Sequence, residues 1–183
     1  MIASFREIWY TILYAAKSER VKPVKILIVS DSHGDSTYLR LAVKKERPDA
    51  IVHLGDHASD ADFIDMEHPI MPLCRVKGNC DYFEQRYPEK WVFTWDGVTI
   101  LATHGHKQGV KSGLLQLKYA ALEAGAQLVL YGHTHRACCG EQDGLWFLNP
   151  GACGGRTPTY GIAEFNEGRI SCRIIDMFME EEV

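Results

Sequence analysis

Short runs of apolar and β-branched residues alternate with amphipathic stretches from residue 24 onward. A short continuous apolar run predicts a buried strand, whereas apolar positions spaced three and four apart predict a helix. Four runs of the first kind, each followed by glycine or a polar residue, predict strands at 24–30, 50–56, 70–79 and 127–135. Stretches of the second kind predict helices at 36–47, 59–66 and 112–124.

A β-hairpin is predicted over 91–106, because Asp96-Gly97 is a two-residue turn signal between two β-rich runs. The last part of the chain is mostly strand and turn, with strands predicted at 144–149, 159–165 and 169–176. A β-α-β-α-β start followed by hairpins indicates an α/β protein. Its sheets should be mixed and flanked by helices, rather than forming one doubly wound parallel sheet.

Composition narrows the class of protein only a little. A chain of 183 residues, with 46% apolar and 24% charged residues, fits one compact domain. The net charge of −4 offers no diffuse basic surface, so nucleic-acid binding is not expected. The six cysteines form no CxxC pair and follow no secretory signal, which indicates free thiols and a cytoplasmic location.

Residues 1–23 precede the first predicted strand and are interpreted as a helical extension of uncertain role, before a single domain at 24–183. The segment places apolar residues at helical spacing: Ile2, Phe5, Ile8, Trp9, Ile12 and Leu13. Charged residues interrupt this segment, so its uninterrupted apolar run is too short to span a membrane. An added helix, a dimerisation element and an upstream start codon all stay open, and a homo-oligomer is therefore one option.

Polar residues of metal-binding type follow the predicted strands and the hairpin. Because ligands gather at the carboxyl ends of strands in open α/β sheets, we expect these seven side chains to converge in one crevice. Seven carboxylate, amide and imidazole groups exceed the four ligands of a tetrahedral zinc site and suit two ions that share a carboxylate. The seven are Asp31, His33, Asp56, Asn79, His104, His133 and His135.

The ordered motifs that contain these residues resemble those of the calcineurin-like metallophosphoesterases. They are Asp31-Ser32-His33, Gly55-Asp56, Gly78-Asn79, His104-Gly105-His106 and Gly132-His133-Thr134-His135. The resemblance covers about residues 24–176 and is to the YfcE-type phosphodiesterase branch in particular, through the segments 78–81 (GNCD) and 149–151 (NPG). It implies an α/β/β/α sandwich of two packed mixed β-sheets flanked by helices.

The same resemblance implies a two-metal-dependent phosphoesterase and assigns the ligands by position. Asp31, His33 and His135 would bind one divalent ion. Asn79, His104 and His133 would bind the other, with Asp56 bridging both. Manganese is favoured as the metal, with iron, zinc or nickel as alternatives.

Two cations about 3.5 to 4 Å apart produce hydroxide near neutral pH and hold phosphoryl oxygens for in-line attack. A metal-bridging hydroxide is therefore expected as the nucleophile, and the protein need supply none of its own. The expected partner is a small phosphate ester, most readily a phosphodiester. Asn79 could also orient a phosphate oxygen through its amide hydrogens.

Many members of the family carry a histidine after the Gly-Asn pair, where this chain has Cys80. A thiol is a poor general acid, so poor leaving groups should react slowly unless His106 or water donates the proton. Catalytic roles are accordingly predicted for Asn79, Cys80 and His106, and an inert small side chain is an equal alternative for Cys80.

Three basic residues in loops near the ligands are candidates for binding phosphate: Arg136, Lys107 and Arg156. Ordinary solvated surface charge is the alternative for each of them. Two other functions are open for the whole chain. One is a non-catalytic protein-binding scaffold, like the retromer subunit of this fold, and the other is a phosphomonoesterase acting on small metabolites.

Overall fold

The computed structural model describes residues 23–179. The predicted helical extension, apart from Pro23, lies outside the described residues. The described part forms ten strands and three α-helices, with short 3-10 helices at Ala58–Ala61 and His106–Gln108. The helices are α1 (Thr37–Glu46), α2 (Asp62–Glu67) and α3 (Leu115–Glu123). The strands are β1 (Val24–Val29), β2 (Ala50–His53), β3 (Leu73–Arg75), β4 (Lys90–Trp95), β5 (Val98–Thr103), β6 (Leu128–Leu130), β7 (Cys138–Gln142), β8 (Leu145–Asn149), β9 (Thr159–Asn166) and β10 (Arg169–Asp176).

The strands form two five-stranded sheets, with the orders β10-β9-β1-β2-β3 and β4-β5-β6-β8-β7. Both sheets are mixed. In the first, β1, β2 and β3 are parallel, while β9 and β10 run antiparallel. In the second, β5, β6 and β8 are parallel, while β4 and β7 run antiparallel. Each sheet therefore has a parallel centre whose strands end at one edge.

Three apolar clusters hold the layers together. The largest lies between the sheets and joins Ile26 and Ile28 of β1 to Ile100 of β5 and Leu128 of β6. The second packs α1 and α2 on the outer face of the first sheet, and the third packs α3 on the outer face of the second. The order of layers is α/β/β/α, which confirms the predicted fold class.

The burial of β1 on both faces explains its unbroken apolar sequence. Successive side chains of a strand point to opposite faces, so Leu27 packs against the helices while Ile28 packs between the sheets. Strands covered on both sides lose the apolar-polar alternation that marks a half-exposed strand. None of the helices within residues 23–179 has the length and apolar character that crossing a lipid bilayer requires.

The structure corrects some predicted boundaries and adds one strand. β2 and β6 end at His53 and Leu130, several residues before the predicted ends, because the extended backbone is broken by positive φ at Gly55 and Asp56 after β2 and at His133 and His135 after β6. β7, at Cys138–Gln142, was not predicted. It is a mostly exposed edge strand of sequence CCGEQ, which has neither apolar periodicity nor β-branched residues.

The predicted hairpin is present as β4 and β5. Its turn residues Asp96 and Gly97 both have positive φ, at 48° and 81°. Two such residues form the tight turn whose twist matches that of the flanking strands. The predicted helix over 59–66 is instead a 3-10 turn followed by the short α2.

Candidate metal centre

The loops after five parallel strands carry the seven predicted ligands to one edge of the sandwich. Asp31 and His33 follow β1, Asp56 follows β2, and Asn79 follows β3. His104 comes directly after β5. His133 and His135 lie in the loop after β6. Since these strands run parallel within each sheet and the sheets pack face to face, the loops meet at the same end.

The ligand atoms of the first predicted set lie close together. Within Asp31, His33 and His135, these atoms are all within 4.8 Å of one another. The Nε2 atoms of His33 and His135 are 3.3 Å apart, and His135 Nε2 is 3.1 Å from Asp31 Oδ1. One carboxylate and two imidazoles are thus arranged around a common point.

A second group of three, Asp56, His104 and His133, meets the same 4.8 Å criterion. Asn79 adjoins it, because its Oδ1 lies 3.2 Å from His104 Nε2. Asp56 also forms a group with His33 of the first set. The Asp56 carboxylate therefore lies within reach of both sets, as a shared ligand must.

The hydrogen bonds of His104 determine which of its nitrogens is available. Its Nδ1 lies 2.7 Å from the Leu54 carbonyl oxygen, which can only accept, so Nδ1 carries the proton. In the neutral ring, Nε2 then carries the lone pair, which faces Asn79 Oδ1 at 3.2 Å and Asp56 Oδ1 at 3.5 Å. A lone pair directed at two oxygens is favourable when a cation lies among them, and a backbone bond on the far nitrogen is typical of metal-binding histidines.

Asp31 supplies a second sign that the residues fit a cation. Its side chain is fully buried, and although Oδ2 accepts the His133 backbone N–H at 3.1 Å, Oδ1 accepts no hydrogen bond from any described residue and has His135 Nε2 beside it at 3.1 Å. A buried carboxylate oxygen that accepts no hydrogen bond is costly unless a positive charge lies nearby. The donors at this edge therefore suit divalent metal ions.

The burial of the ligands decreases from the floor of the site to its opening. Asp31, Asp56 and His104 are buried, whereas His33 and His135 are exposed. A site with a buried floor and open rim can hold ions and still admit a substrate from solvent.

The protonation states also suit metal binding. Burial opposes ionisation of Asp56, yet the Cys80 backbone N–H and the nearby His104 lower its pKa below the ordinary value. Burial lowers the pKa of His133 to about 4, with His104 adding to the effect. An ionised carboxylate and a neutral imidazole are the forms that bind metal.

Backbone strain is concentrated at the ligands. Positive φ is uncommon for residues other than glycine and costs about 1 kcal/mol or more, although Asp and His tolerate it better than most. Strain of this kind is typically retained where it aims side chains at a functional centre. Five of the seven ligands have a positive φ: Asp31 (56°), His33 (52°), Asp56 (56°), His133 (66°) and His135 (56°).

Asp81 holds two ligand loops together, a role that was not predicted. Its Oδ2 accepts the Gly78 N–H at 2.8 Å, and its Oδ1 accepts the N–H groups of His57 and Ala58 at 2.9 and 3.2 Å. The loop that carries Asn79 is thereby tied to the loop that carries Asp56. The GNCD segment that contains Asp81 carried part of the family resemblance, but it gave no role to Asp81.

Asp81→Asn should weaken metal binding without removing a ligand. The amide can accept from only one of the two loops and turns its NH2 group toward the other. Loss of such a supporting hydrogen bond typically lowers metal affinity about 10- to 100-fold. Titration of the metal-free protein with Mn²⁺, followed by calorimetry, measures the effect, and an unchanged affinity would contradict this role of Asp81.

Two further buried polar groups position the ligand loops. Asn149 at the end of β8 donates from Nδ2 to the Gly132 carbonyl and to Thr134 Oγ1, both at 3.0 Å, and so fixes the loop with His133 and His135. On the other side, His53 Nδ1 accepts the Gly55 N–H, so its Nε2 donates to Ser32 Oγ at 3.0 Å. Burial, with the nearby Arg75, lowers the pKa of His53 to about 3, which keeps the imidazole neutral.

The other predicted site residues lie at or near the same edge. Cys80 Sγ forms a group with His33 and Asp56 whose ligand atoms are within 4.8 Å of each other. Desolvation and the neighbouring Asp56 raise the pKa of the thiol to about 11. The His106 ring centroid lies 5.4 Å from that of His104 and 6.1 Å from that of His133, and burial lowers its pKa.

The predicted phosphate-binding residues differ in their surroundings. Lys107 Nζ pairs with Glu89 at 2.9 Å, so its charge is partly neutralised within the protein. Arg136, directly after His135, is exposed, and so is Arg156 in the loop before β9. Of the two predicted substrate-binding residues, Lys107 is ion-paired, whereas Arg136 forms no ion pair with a described carboxylate.

Fold and site together define a two-sheet α/β/β/α sandwich with a cluster of metal-ligand side chains at one edge. The family model for the calcineurin-like phosphoesterase superfamily domain matches residues 24–168. The chain therefore belongs to the calcineurin-like phosphoesterase superfamily, which confirms the predicted family.

The chain is similar to relatives from bacteria and archaea. It is 35% identical over 158 residues to the probable metallophosphoesterase YsnB of Bacillus subtilis, covering 84% of this chain and 91% of that protein. It is 28% identical over 161 residues to the phosphodiesterase MJ0936 of Methanocaldococcus jannaschii, covering 77% and 93% of the two chains. The crystal structure of a predicted phosphoesterase from Streptococcus pneumoniae matches with a TM-score of 0.69 and 28% identity, over 86% of this chain and 91% of that one.

The fold is also shared with the vacuolar sorting protein Vps29. The Zn²⁺ complex of Vps29 from Entamoeba histolytica matches with a TM-score of 0.71 and 19% identity, over 87% of this chain and 96% of that one. At this identity the likeness concerns the fold alone.

Proposed function

We propose that this chain is a two-metal phosphodiesterase that acts on small phosphate esters. The observation that carries the proposal is the pair of three-residue donor groups, with the Asp56 carboxylate within reach of both. Similarity to the phosphodiesterase MJ0936 supports the choice of diesters. The mixed oxygen and nitrogen donors are compatible with manganese, which we propose as the working metal.

When bound, two divalent ions supply an activated water and neutralise charge on the phosphoryl oxygens. Asp31, His33 and His135 would hold one ion, and Asn79, His104 and His133 the other. Asp56 would be common to both. The buried carboxylates form the floor, so a substrate approaches from the rim where His33 and His135 are exposed.

Asn79 has a further role that a carboxylate could not fill. Its Oδ1 is turned toward His104, while its Nδ2 is turned toward Cys80, with the sulfur at 3.5 Å. One amide hydrogen thus donates to the Cys80 sulfur. The other can donate to a phosphoryl oxygen and orient the ester for attack.

Metal-dependent turnover tests the proposal. Protein stripped of metal with a chelator should hydrolyse bis-p-nitrophenyl phosphate only after Mn²⁺ is restored. It should hydrolyse p-nitrophenyl phosphate, which has the same leaving group, more slowly. Faster reaction of the monoester would favour a phosphomonoesterase instead.

Cys80 should limit the range of leaving groups. Cys80→His places an imidazole where the thiol is a weak proton donor, and general acid catalysis contributes about 100-fold or more where it operates. We expect a gain of about tenfold or more for a diester with an alkyl leaving group and little gain for p-nitrophenolate, which needs no proton. Steady-state rates of both esters measure the effect.

The matched control for this substitution is Cys138→His. Cys138 is also exposed and begins the edge strand β7, but its Sγ lies 3.3 Å from the Tyr131 hydroxyl and, within the described residues, belongs to none of the donor groups. Equal gains for both leaving groups, or a gain in the control, would contradict a role for position 80 in proton donation.

A protein-binding scaffold is the second candidate, and the structural likeness to Vps29 favours keeping it. A scaffold can bind metal without turning over a substrate. Stoichiometric Mn²⁺ binding combined with no hydrolysis of either aryl ester would support the scaffold over the enzyme.

A further inference from the structure

Two consecutive tight turns connect the metal centre to an exposed pair of aromatic rings. The Asp81 N–H donates to the Gly78 carbonyl at 3.3 Å, and the Glu84 N–H donates to the Asp81 carbonyl at 3.0 Å. Asn79 and Cys80 are the central residues of the first turn. Tyr82 and Phe83 are the central residues of the second. We call the segment Gly78–Glu84 the tandem turn.

The two rings are unusually exposed for their size. Tyr82 is 76% and Phe83 is 90% exposed, and their centroids are 5.1 Å apart with the planes at 89°. Exposing large apolar rings side by side forgoes the burial that usually stabilises such residues, and adjacent exposed rings are often a binding surface.

The backbone that presents the rings is anchored on both sides. Before them, the Asp81 carboxylate accepts three backbone N–H groups. After them, Arg86 pairs with Glu84 at 2.7 Å and with Asp62 at 3.2 Å, and the Tyr87 hydroxyl donates to Asp62 at 2.9 Å. The rings therefore extend from a loop with defined geometry.

The distance from the rings to the metal centre is limited by the chain. Tyr82 is three residues beyond Asn79, so their Cα atoms are at most about 11 Å apart, and each tight turn brings its ends within about 7 Å. A ring joined to the phosphorus through a linker of several bonds can cover a span of this order, whereas a ring bonded directly to the phosphorus cannot. A substrate can thus reach both with one small organic group.

We propose that Tyr82 and Phe83 form an aromatic platform that binds a planar aromatic group carried by the phosphodiester substrate. This rests on the proposed function, since it defines the class of ester that the site prefers. An aryl group or a nucleobase offers a flat π-face that stacks on such rings without needing hydrogen bonds. The platform thereby selects aromatic esters over aliphatic ones of equal charge.

Non-hydrolysable phosphonates test the platform by binding alone. 3-Phenylpropylphosphonate and propylphosphonate present the same head group to the metals on the same linker and differ only in the ring. With Mn²⁺-loaded protein, calorimetry should show about tenfold tighter binding of 3-phenylpropylphosphonate. In the double variant Tyr82→Ser/Phe83→Ser this preference should disappear, while propylphosphonate binds as before.

The matched control is Met66→Ser/Ile70→Ser. These side chains are 76% and 85% exposed, so the control removes similar apolar surface outside the tandem turn. The control should keep the preference for 3-phenylpropylphosphonate. The platform is overturned by either of two results: the unaltered protein shows no preference for the ligand with the ring, or the Tyr82/Phe83 variant keeps that preference.

Failure of the platform and failure of the proposed function give different results. Ring-dependent binding without turnover of bis-p-nitrophenyl phosphate would support the platform and overturn the hydrolase. Turnover without ring-dependent binding would do the reverse. Absence of both overturns both.

Discussion

Asp56→Asn should abolish metal-dependent hydrolysis, with a fall in kcat/KM of about a thousandfold or more. The Asp56 carboxylate belongs to the second donor group and also groups with His33 of the first, so in the proposed two-metal site its charge would serve both cations. A metal ion contributes several kcal/mol to stabilising charge in the transition state, and each 1.36 kcal/mol is tenfold in rate. Turnover of bis-p-nitrophenyl phosphate in Mn²⁺ and the number of bound ions per chain measure the loss.

The amide should leave the fold intact, which makes this substitution informative. Asp56 Oδ1 accepts the Cys80 N–H at 2.8 Å, and the Asn oxygen can accept the same bond. Asp143→Asn is the matched control, because it removes one carboxylate charge at an exposed position paired with Lys118. Undiminished turnover in Asp56→Asn, with two ions still bound, would contradict the shared-ligand arrangement.

Gly78→Ala should both destabilise the protein and impair the site. A Cβ at this position would lie 2.2 Å from Asp56 Oδ1 and 2.4 Å from the Asp56 backbone nitrogen. Backbone atoms cannot move aside by a change of rotamer, so the loops must separate. Forced overpacking typically costs about 1–3 kcal/mol, which lowers the thermal midpoint by about 5 °C in a domain of this size.

Activity of Gly78→Ala should fall by about 100-fold, because misplacing a catalytic group by about 1 Å has that effect. Thermal denaturation and Mn²⁺-dependent kinetics measure the two consequences. Gly140→Ala is the control, since no atom lies within 4 Å of its would-be Cβ. A Gly78→Ala protein with unaltered stability and rate would show that Gly78 and Asp56 do not need this close approach.

Much of the architecture followed from local sequence patterns. The amphipathic spacing of 36–47 corresponds to α1, and the Asp96-Gly97 turn corresponds to the β4–β5 hairpin. These features are local because helix periodicity and two-residue turns depend on residues a few positions apart. β7 was missed for the same reason. Its pairing with β8, rather than its own sequence, makes it a strand.

The residues of the candidate site could also be predicted from the sequence, because the ligand motifs are recognised by their order along the chain. The way in which these residues come together in space could not be predicted. The hydrogen bond from the His133 N–H to Asp31 joins residues 102 positions apart and depends on how two sheets pack. The support of Asp81 for two loops across 24 positions is likewise a consequence of parallel pairing between β2 and β3.

The sequence by itself determined the fold class, the family and the set of candidate ligands. Only the tertiary structure decided that Asp81 and Asn149 hold the ligand loops, and that Tyr82 and Phe83 are exposed. The physical reason is the separation in sequence over which each interaction acts. Hydrophobic periodicity and turn preference act over a few residues, whereas metal geometry, buried hydrogen bonds and exposure depend on contacts that exist only after the two sheets have packed.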